Sequence, residues 1–206
     1  FYLGSIQTAE SAEENLAQVI PVTAQVVSRS GARTVGFEID ENHFANLMKA
    51  DIKDAVYTAS ACANFQEQYR AEDVQGADTS VTAVSGLSAL VGVTEESIAF
   101  ENGYDLSLLA RAEPLCVVSQ SYAAQYGLNS GDTLSMPFYV TRYNDDGFSL
   151  RYEHLGMQGV KIIGVYADSA SGSSVPCSMI VSVPWLQTVV KDNNLRFYYS
   201  SFRCAL

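Results

Sequence analysis

The chain has 206 residues, a length that suits one large domain or two closely packed subdomains. Hydrophobic residues make up 48% and charged residues 17%, which is enough apolar material for a core and too little charge for a disordered chain. Lys and Arg total 12 against 23 Asp and Glu, so the formal net charge is −11, and such a field repels phosphate backbones. The composition indicates a folded globular protein and excludes nucleic-acid binding.

The ends of the sequence and its hydrophobic stretches bear on the cellular location. The sequence begins at Phe1, without Met and without a basic region followed by an apolar stretch, so we expect it to be part of a longer protein. No stretch approaches the roughly 20 apolar residues of a membrane-spanning helix. We therefore expect no membrane span within these residues.

Four cysteines occur, Cys62, Cys116, Cys177 and Cys204. None lies in a CxxC motif or at a Cys/His spacing that suits zinc. They are candidates for disulfide bonds or for buried thiols, because free cysteine is among the most buried residue types. The cysteine count alone does not decide between these alternatives.

The first part of the chain reads as a lead-in helix followed by a strand, helix, strand unit. A capping-box pattern begins at Ser11 and predicts a helix within residues 1–20, which Pro21 ends. Residues 22–29 and 34–39 have strand composition around a Ser-Gly turn and predict a hairpin. Asp40 can cap a helix, after which residues 55–65 return to strand composition.

A second unit of the same kind lies near the end of the chain. Residues 178–183 predict an apolar strand, Pro184 fits the first turn of a helix, and residues 197–205 predict an aromatic strand. Two such units packed together would form an α+β fold, a split βαββαβ subdomain. We predict this subdomain for residues 1–65 plus 178–206, with residues 66–177 inserted as a strand-rich second lobe.

Catalytic side chains in a known arrangement are not found in the sequence. Ser119 lies between a predicted strand and a predicted helix but lacks a G-x-S-x-G motif, so we interpret it as a helix N-cap. His43 and His154 have polar neighbours and no motif spacing, and we expect both at the surface. The adjacent pairs Glu95/Glu96 and Asp145/Asp146 would diverge, unlike the paired acids of a glycosidase.

Two ligand-binding motifs are also excluded. The run from Asn144 to Gly147 resembles the start of a calcium loop, but the position for the bidentate Glu holds Leu155, so a hairpin turn is favoured. Gly172 is not followed by Gly-Lys-Ser/Thr, so a phosphate-binding P-loop is absent from the sequence. We predict no metal site, no cofactor and no catalytic residue.

The aromatic strand near the end of the chain is a candidate partner surface. Phe197, Tyr198, Tyr199 and Phe202 cannot all lie on one face of a strand, because side chains alternate between faces. One face could then be exposed to a partner. The alternative is that both faces are covered within the domain, as in sheets buried on both sides.

Six short motifs follow one another in the second half of the chain: Gly103-Tyr104-Asp105, Cys116-Val117-Val118-Ser119, Tyr122-Ala123-Ala124, Gly127-Leu128, Gly131-Asp132-Thr133 and Ile163-Gly164-Val165-Tyr166. In their order and spacing they resemble the MacB/FtsX-like permease family. More narrowly, they resemble the extracytoplasmic core domain that these ABC transporter permeases carry between their first two membrane helices. The match is best over residues 103–186 and looser before them.

The resemblance implies a porter-like subdomain with an inserted lobe on the outer side of a bacterial cell membrane. It implies as partners the permease's own membrane helices and a separate ATP-binding subunit or domain. A second permease copy or an extracytoplasmic protein are further candidate partners. The resemblance assigns no substrate-binding residue to this chain.

The outward location that the resemblance implies permits disulfide bonds. Cys116 and Cys177 are then the preferred pair, since each begins a predicted strand in or beside the inserted lobe. Cys62 and Cys204 are expected on opposite edge strands, reduced and buried.

The leading hypothesis is a non-enzymatic extracytoplasmic domain that docks a partner or substrate and relays ATP-driven conformational change. The alternative is a secreted or surface-anchored module that binds a peptide or glycan through aromatic residues such as Tyr198 and Tyr199.

Overall fold

The computed structural model of the protein describes residues 23–25, 38–49, 52–65, 77–90, 92–144, 150–168 and 177–205. The α-helices of these residues are α1 (Glu41–Leu47), α2 (Gln120–Tyr126) and α3 (Val183–Asp192). Short 3-10 helices lie at Leu87–Ala89, Glu95–Ser97 and Leu106–Ala110. The strands are β1 (Thr23–Gln25), β2 (Ile39–Asp40), β3 (Lys53–Ala63), β4 (Thr79–Val84), β5 (Ile98–Phe100), β6 (Leu115–Ser119), β7 (Thr133–Tyr143), β8 (Leu150–Tyr166), β9 (Met179–Ser182), β10 (Tyr198–Tyr199) and β11 (Ser201–Ala205).

Most of these strands belong to one large mixed sheet. Its order is β1-β11-β3-β4-β9-β6-β8-β5, and β7 pairs with both β3 and β8. The β4–β9 and β6–β8 pairs are parallel, whereas the other pairs are antiparallel. Strands β2 and β10 form a separate antiparallel pair. The molecule is therefore an α+β protein, as predicted from the sequence.

The second predicted unit is present as strand, helix and strand. Ser182 caps α3 by accepting a hydrogen bond from the Trp185 backbone N–H at 3.1 Å, and Pro184 lies in the first turn. The aromatic segment differs from the prediction because it forms two strands. Strand β10 pairs with β2, whereas β11 pairs with β1 and β3, so the partner changes at Ser200.

The first predicted unit is present in its described part. Asp40 caps α1, because its Oδ1 accepts a hydrogen bond from the His43 backbone N–H at 2.7 Å, and β3 follows. The described parts of the predicted hairpin, β1 and β2, do not pair with each other, because β1 pairs with β11 and β2 with β10; this corrects the prediction. The lead-in helix predicted within residues 1–20 and the turn of the predicted hairpin lie outside the described residues.

Strand pairing crosses the predicted boundaries of the inserted lobe. Strand β4 lies between β3 and β9 in the sheet, although it falls within residues 66–177. Strand β6 pairs with β9, and β7 pairs with β3 at Cys62↔Tyr139 and Ala63↔Phe138. The described strands of the two predicted units thus share one sheet, and the division at residues 66–177 stays a prediction.

Hydrophobic side chains cover both faces of the central strands. Successive residues of β9 alternate between two core clusters, with Met179 and Val181 in one and Ile180 in the other. Because strand side chains alternate between faces, the two clusters lie on opposite sides of the sheet. Helix α3 packs into the first cluster through Trp185, Leu186, Val189 and Val190. The 3-10 helix at Leu106–Ala110 contributes to the second.

Candidate functional site

The aromatic segment predicted as a partner surface is mostly buried. Phe197 is 2% exposed, Tyr199 5% and Phe202 3%. Phe44, from α1, stacks on the Tyr199 ring with centroids 3.9 Å apart and meets Phe202 edge-on at 5.9 Å. The side chains of Phe197, Tyr199 and Phe202 are therefore not available to a partner, which corrects the prediction of an exposed face. The alternative, with both faces covered within the domain, applies to them.

Tyr198 is the half-buried member of the same segment. The Arg142 guanidinium carbon lies 4.7 Å from the centroid of the Tyr198 ring, a distance within the range of cation–π contacts. Arg142 itself is 7% exposed and lies on β7. The Tyr198 ring thus contributes to packing between β10 and β7.

The structure does not bring Cys116 and Cys177 together. Cys116 lies on β6 opposite Val181, whereas Cys177 precedes β9 by two residues, and the two side chains belong to different core clusters. All four cysteines are free thiols. This corrects the predicted Cys116–Cys177 disulfide, because the sheet separates the two thiols.

Burial affects the thiols of three of the four cysteines. Burial raises the pKa values of the Cys62, Cys116 and Cys177 thiols, which disfavours the reactive thiolate. Cys204 is 5% exposed, as predicted, whereas Cys62 is only partly buried. These two do not occupy opposite edges, because β3 and β11 are neighbours in the sheet.

Ser119 and His43 have the predicted roles, whereas His154 does not. The Ser119 hydroxyl accepts a hydrogen bond from the Tyr122 backbone N–H at 3.2 Å and caps α2. The His43 side chain is 78% exposed and contacts Asp40 at 2.8 Å. His154 is half-buried, and burial lowers the pKa of its imidazole.

Of the predicted turn residues and acidic pairs, Glu95 and Glu96 are exposed in the first turn of a short 3-10 helix. Leu155 is 1% exposed in the first core cluster, so it cannot contribute to a calcium loop. Asp145, Asp146 and Gly172 lie outside the described residues. Among the residues described, no three His, Cys, Asp or Glu side chains are grouped closely enough to hold a metal ion.

A small cavity lies beside a bulge in the β7–β8 ribbon. The pairing shifts between Phe138↔Gly156 and Tyr139↔His154, which leaves Leu155 as an extra residue on β8. Gly156 adopts φ +72°, a conformation that favours glycine. The cavity of about 130 Å³ is lined by Pro137, Phe138, His154, Gly156 and Met157. It is smaller than the roughly 300 Å³ of typical small-molecule sites.

The six sequence motifs form one continuous part of the structure around β5, β6 and β8. Lys161 Nζ lies 3.0 Å from Glu101 Oε2 and donates to the Tyr104 hydroxyl at 3.3 Å, which ties the 101–104 turn to β8. Gly164 allows close approach of β5, because a Cβ there would lie 3.2 Å from the Ala99 carbonyl oxygen. The first and last motifs thus fix how β5 meets β8.

The remaining motifs hold α2 and the neighbouring strands. Gly127 ends α2 with φ +65°, and the Tyr122 hydroxyl bonds to Thr79 Oγ1 at 2.7 Å. The Tyr166 hydroxyl donates to the Cys177 carbonyl oxygen. These residues serve as caps, turns and strand contacts, so the pattern found in the sequence is a pattern of structural residues.

Within the described residues, no helix has the length and the apolar composition of a membrane span.

The similarity of the chain to known proteins lies in structure and not in sequence. No family model matches the chain, and no curated protein matches it. The crystal structure of the periplasmic region of MacB from Actinobacillus actinomycetemcomitans is similar at 10% identity and a TM-score of 0.46, with 89% of this chain and 72% of that one covered. The extracellular domain of the noncanonic ABC-type transporter YknZ from Gram-positive bacteria is similar at 18% identity and a TM-score of 0.45, with 89% and 81% covered. Since both TM-scores are below 0.5, these similarities by themselves carry no conclusion about what the chain does.

Proposed function

We propose that this chain is an extracytoplasmic domain of a bacterial ABC transporter permease, which docks a partner or substrate and relays ATP-driven conformational change without catalysis of its own. The observation that carries the proposal is the ordered set of six motifs between Gly103 and Tyr166. In the structure these motifs occupy one continuous unit, in which they cap α2, shape turns and set strand contacts. Motif positions shared with the permease family support a shared fold. The role that we propose comes from the resemblance to that family.

The pairing at one edge of the sheet is compatible with insertion between two other segments of a longer protein. Strands β1 and β11 are antiparallel neighbours, with Thr23 opposite Ala205 and Gln25 opposite Arg203. The first and last described strands are therefore adjacent. Domains with adjacent ends can be inserted into another protein with little distortion.

The partners in this proposal are the permease's own membrane helices and a separate ATP-binding subunit or domain. A second permease copy or an extracytoplasmic protein would dock on the domain from outside. The alternative of a free-standing aromatic binding module loses support, because Tyr199 is 5% exposed and Tyr198 packs against Arg142.

The location is tested with the full-length protein in bacterial cells. Membranes are isolated, and intact spheroplasts are treated with an added protease, with a cytoplasmic protein as the control that must stay uncut. We expect the protein in the membrane fraction and this domain cleaved from outside. Release into the medium would support the secreted module, and protection from the protease would contradict an extracytoplasmic location.

The relay is tested separately on the purified full-length protein. We expect an ATP-hydrolysing subunit to copurify, and ATP to change amide hydrogen exchange within residues 23–205. The matched control is a mutant of that subunit that cannot bind ATP. If ATP leaves exchange in this domain unchanged, the relay is wrong even where the location is right.

A further inference from the structure

The turn that follows β5 carries a pair of residues prone to a spontaneous covalent change. Asn102 and Gly103 form the only Asn-Gly dipeptide in the sequence. In such a pair the backbone nitrogen of the second residue can attack the side-chain carbonyl of the first, because glycine has no Cβ to hinder the approach. Whether the reaction proceeds in a folded protein depends on how the pair is placed.

The structure leaves this pair open. Asn102 and Gly103 are both exposed and occupy the middle of a turn in which the Tyr104 N–H donates to the Glu101 carbonyl oxygen at 3.1 Å. Within the described residues, the Gly103 N–H has no backbone hydrogen-bond partner. Gly103 has φ +91°, and no atom lies within 4 Å of where its Cβ would be. The Gly103 nitrogen is therefore shielded neither from solvent nor from the neighbouring Asn102 side chain in the described structure.

A second turn in the same chain provides an internal comparison. Asn129 is also exposed, but it is followed by Ser130, which has a Cβ. The Asn129 N–H donates to Asp132 Oδ2 at 2.7 Å, and the Asp132 N–H donates to the Asn129 carbonyl oxygen at 3.2 Å. These two hydrogen bonds hold Asn129 in place on both sides. We therefore expect the same reaction to be slower at Asn129 than at Asn102.

We propose that Asn102 is a site of spontaneous deamidation, which converts it to aspartate and isoaspartate. The Gly103 nitrogen forms a bond to the Asn102 side-chain carbonyl carbon, and the bond from that carbon to the amide nitrogen breaks. The displaced nitrogen leaves as ammonia, with the proton that the Gly103 nitrogen loses. Water then opens the cyclic imide. Opening at the side-chain carbonyl gives aspartate, and opening at the backbone carbonyl gives isoaspartate, in which the main chain runs through the side-chain carbons.

The isoaspartate product loosens the contact of β5 with β8. The turn places Glu101 and Tyr104 around Lys161 of β8, with Lys161 Nζ 3.0 Å from Glu101 Oε2 and 3.3 Å from the Tyr104 hydroxyl. Isoaspartate lengthens the backbone of the turn, so the hydrogen bond from Tyr104 to Glu101 cannot keep its geometry. Aspartate adds only an exposed charge, which has little effect. The modification depends on this turn alone and not on the proposed function.

The site is tested by peptide mapping with mass spectrometry, after the folded full-length protein has been incubated at mildly alkaline pH. The reaction begins with deprotonation of the Gly103 nitrogen, so conversion should accelerate as the pH rises. We expect aspartate and isoaspartate to accumulate at residue 102 at least about tenfold faster than at residue 129. Asn102→Gln is the matched control, because its longer side chain would have to close a larger ring. Conversion at residue 102 that is absent, or no faster than at residue 129, would overturn the proposal.

The loosening of β5 is tested by amide hydrogen exchange on the isoaspartate form, separated by chromatography, and on Asn102→Asp. In the isoaspartate form we expect exchange in residues 98–104 to rise about fivefold, as for the loss of one hydrogen bond. In Asn102→Asp we expect less than about a twofold change. Strand β9 is the internal reference and should not change. If the isoaspartate form exchanges like the unmodified protein, the loosening is wrong even where the modification occurs.

Discussion

The central strands are stabilised differently from the outer part of the β7–β8 ribbon, which comprises residues 140–143 and 150–154. Every residue of β6 and β9 is buried, and their side chains alternate between two hydrophobic clusters. In the outer part of the ribbon, Val140 still belongs to the first cluster, but Arg151 is exposed and Tyr152 and Glu153 are half-buried. Apolar burial on both faces of a strand resists local opening more than partial burial does. Strand β8 passes through both regions, so substitutions along this one strand compare them directly.

The largest expected effect is the loss of a central side chain from β8. Ile162 is fully buried in the first cluster, so Ile162→Ala should lower the free energy of unfolding by about 3 kcal/mol. Arg151→Ala, on the same strand but in the outer part and with a side chain 48% exposed, should change it by less than about 1 kcal/mol. Urea unfolding measures both. Equal losses would contradict the difference between the two regions.

A smaller effect is expected where β5 approaches β8 closely. Gly164→Ala would place a Cβ 3.2 Å from the Ala99 carbonyl oxygen and 3.1 Å from Ile98 Cγ2, so the strands must shift, at about 2 kcal/mol. Gly159→Ala is the control, because no atom lies within 4 Å of a Cβ at that position. Thermal unfolding should separate the two variants. A stable Gly164→Ala protein would show that β5 is not tightly placed.

The helix cap at the end of β6 should have an effect of about 1 kcal/mol. Ser119→Ala removes the acceptor for the Tyr122 backbone N–H and leaves the first turn of α2 without its cap. Ser135→Ala, at an exposed position of β7, is the matched serine control. Chemical denaturation of both variants measures the difference, and an equal response would exclude a capping role.

The smallest expected effect is a pH dependence from His154. Burial lowers the His154 pKa in the folded protein below its ordinary value of about 6.5, so the unfolded chain binds more protons in mildly acidic solution. Stability should therefore fall as the pH drops below about 6.5, and level off below the folded-state pKa. His154→Gln should remove this component of the pH profile, and the exposed His43→Gln should keep it. An unchanged profile in His154→Gln would contradict the assignment.

Local patterns in the sequence predicted much of the fold. The N-caps at Asp40 and Ser119, and Pro184 in the first turn of α3, depend on nearby residues and are confirmed. The sequence did not predict that Phe44 would cover Tyr199, because that contact joins residues far apart in the chain. The division of residues 197–205 into two strands also depends on different distant partners, β2 for one and β1 with β3 for the other.

The candidate site was less predictable than the fold. The bulge at Leu155 depends on how β7 and β8 align, and only the paired structure defines that register. Gly156 was visible in the sequence, but a lone glycine within a strand does not distinguish a bulge from a close contact. Arg142 resembles any surface arginine in sequence, and its burial follows from Arg196 and Tyr198, more than 50 residues later.

The antiparallel neighbours β1 and β11 give the molecule a defined response to mechanical force. Thr23 and Ala205 lie at the same end of this short ladder. Tension that pulls these two positions apart would load one pair of hydrogen bonds at a time, as in unzipping, and would not shear the whole ladder at once. The edge of the sheet would therefore yield first under load, while β11 stays paired with β3 and the core remains closed.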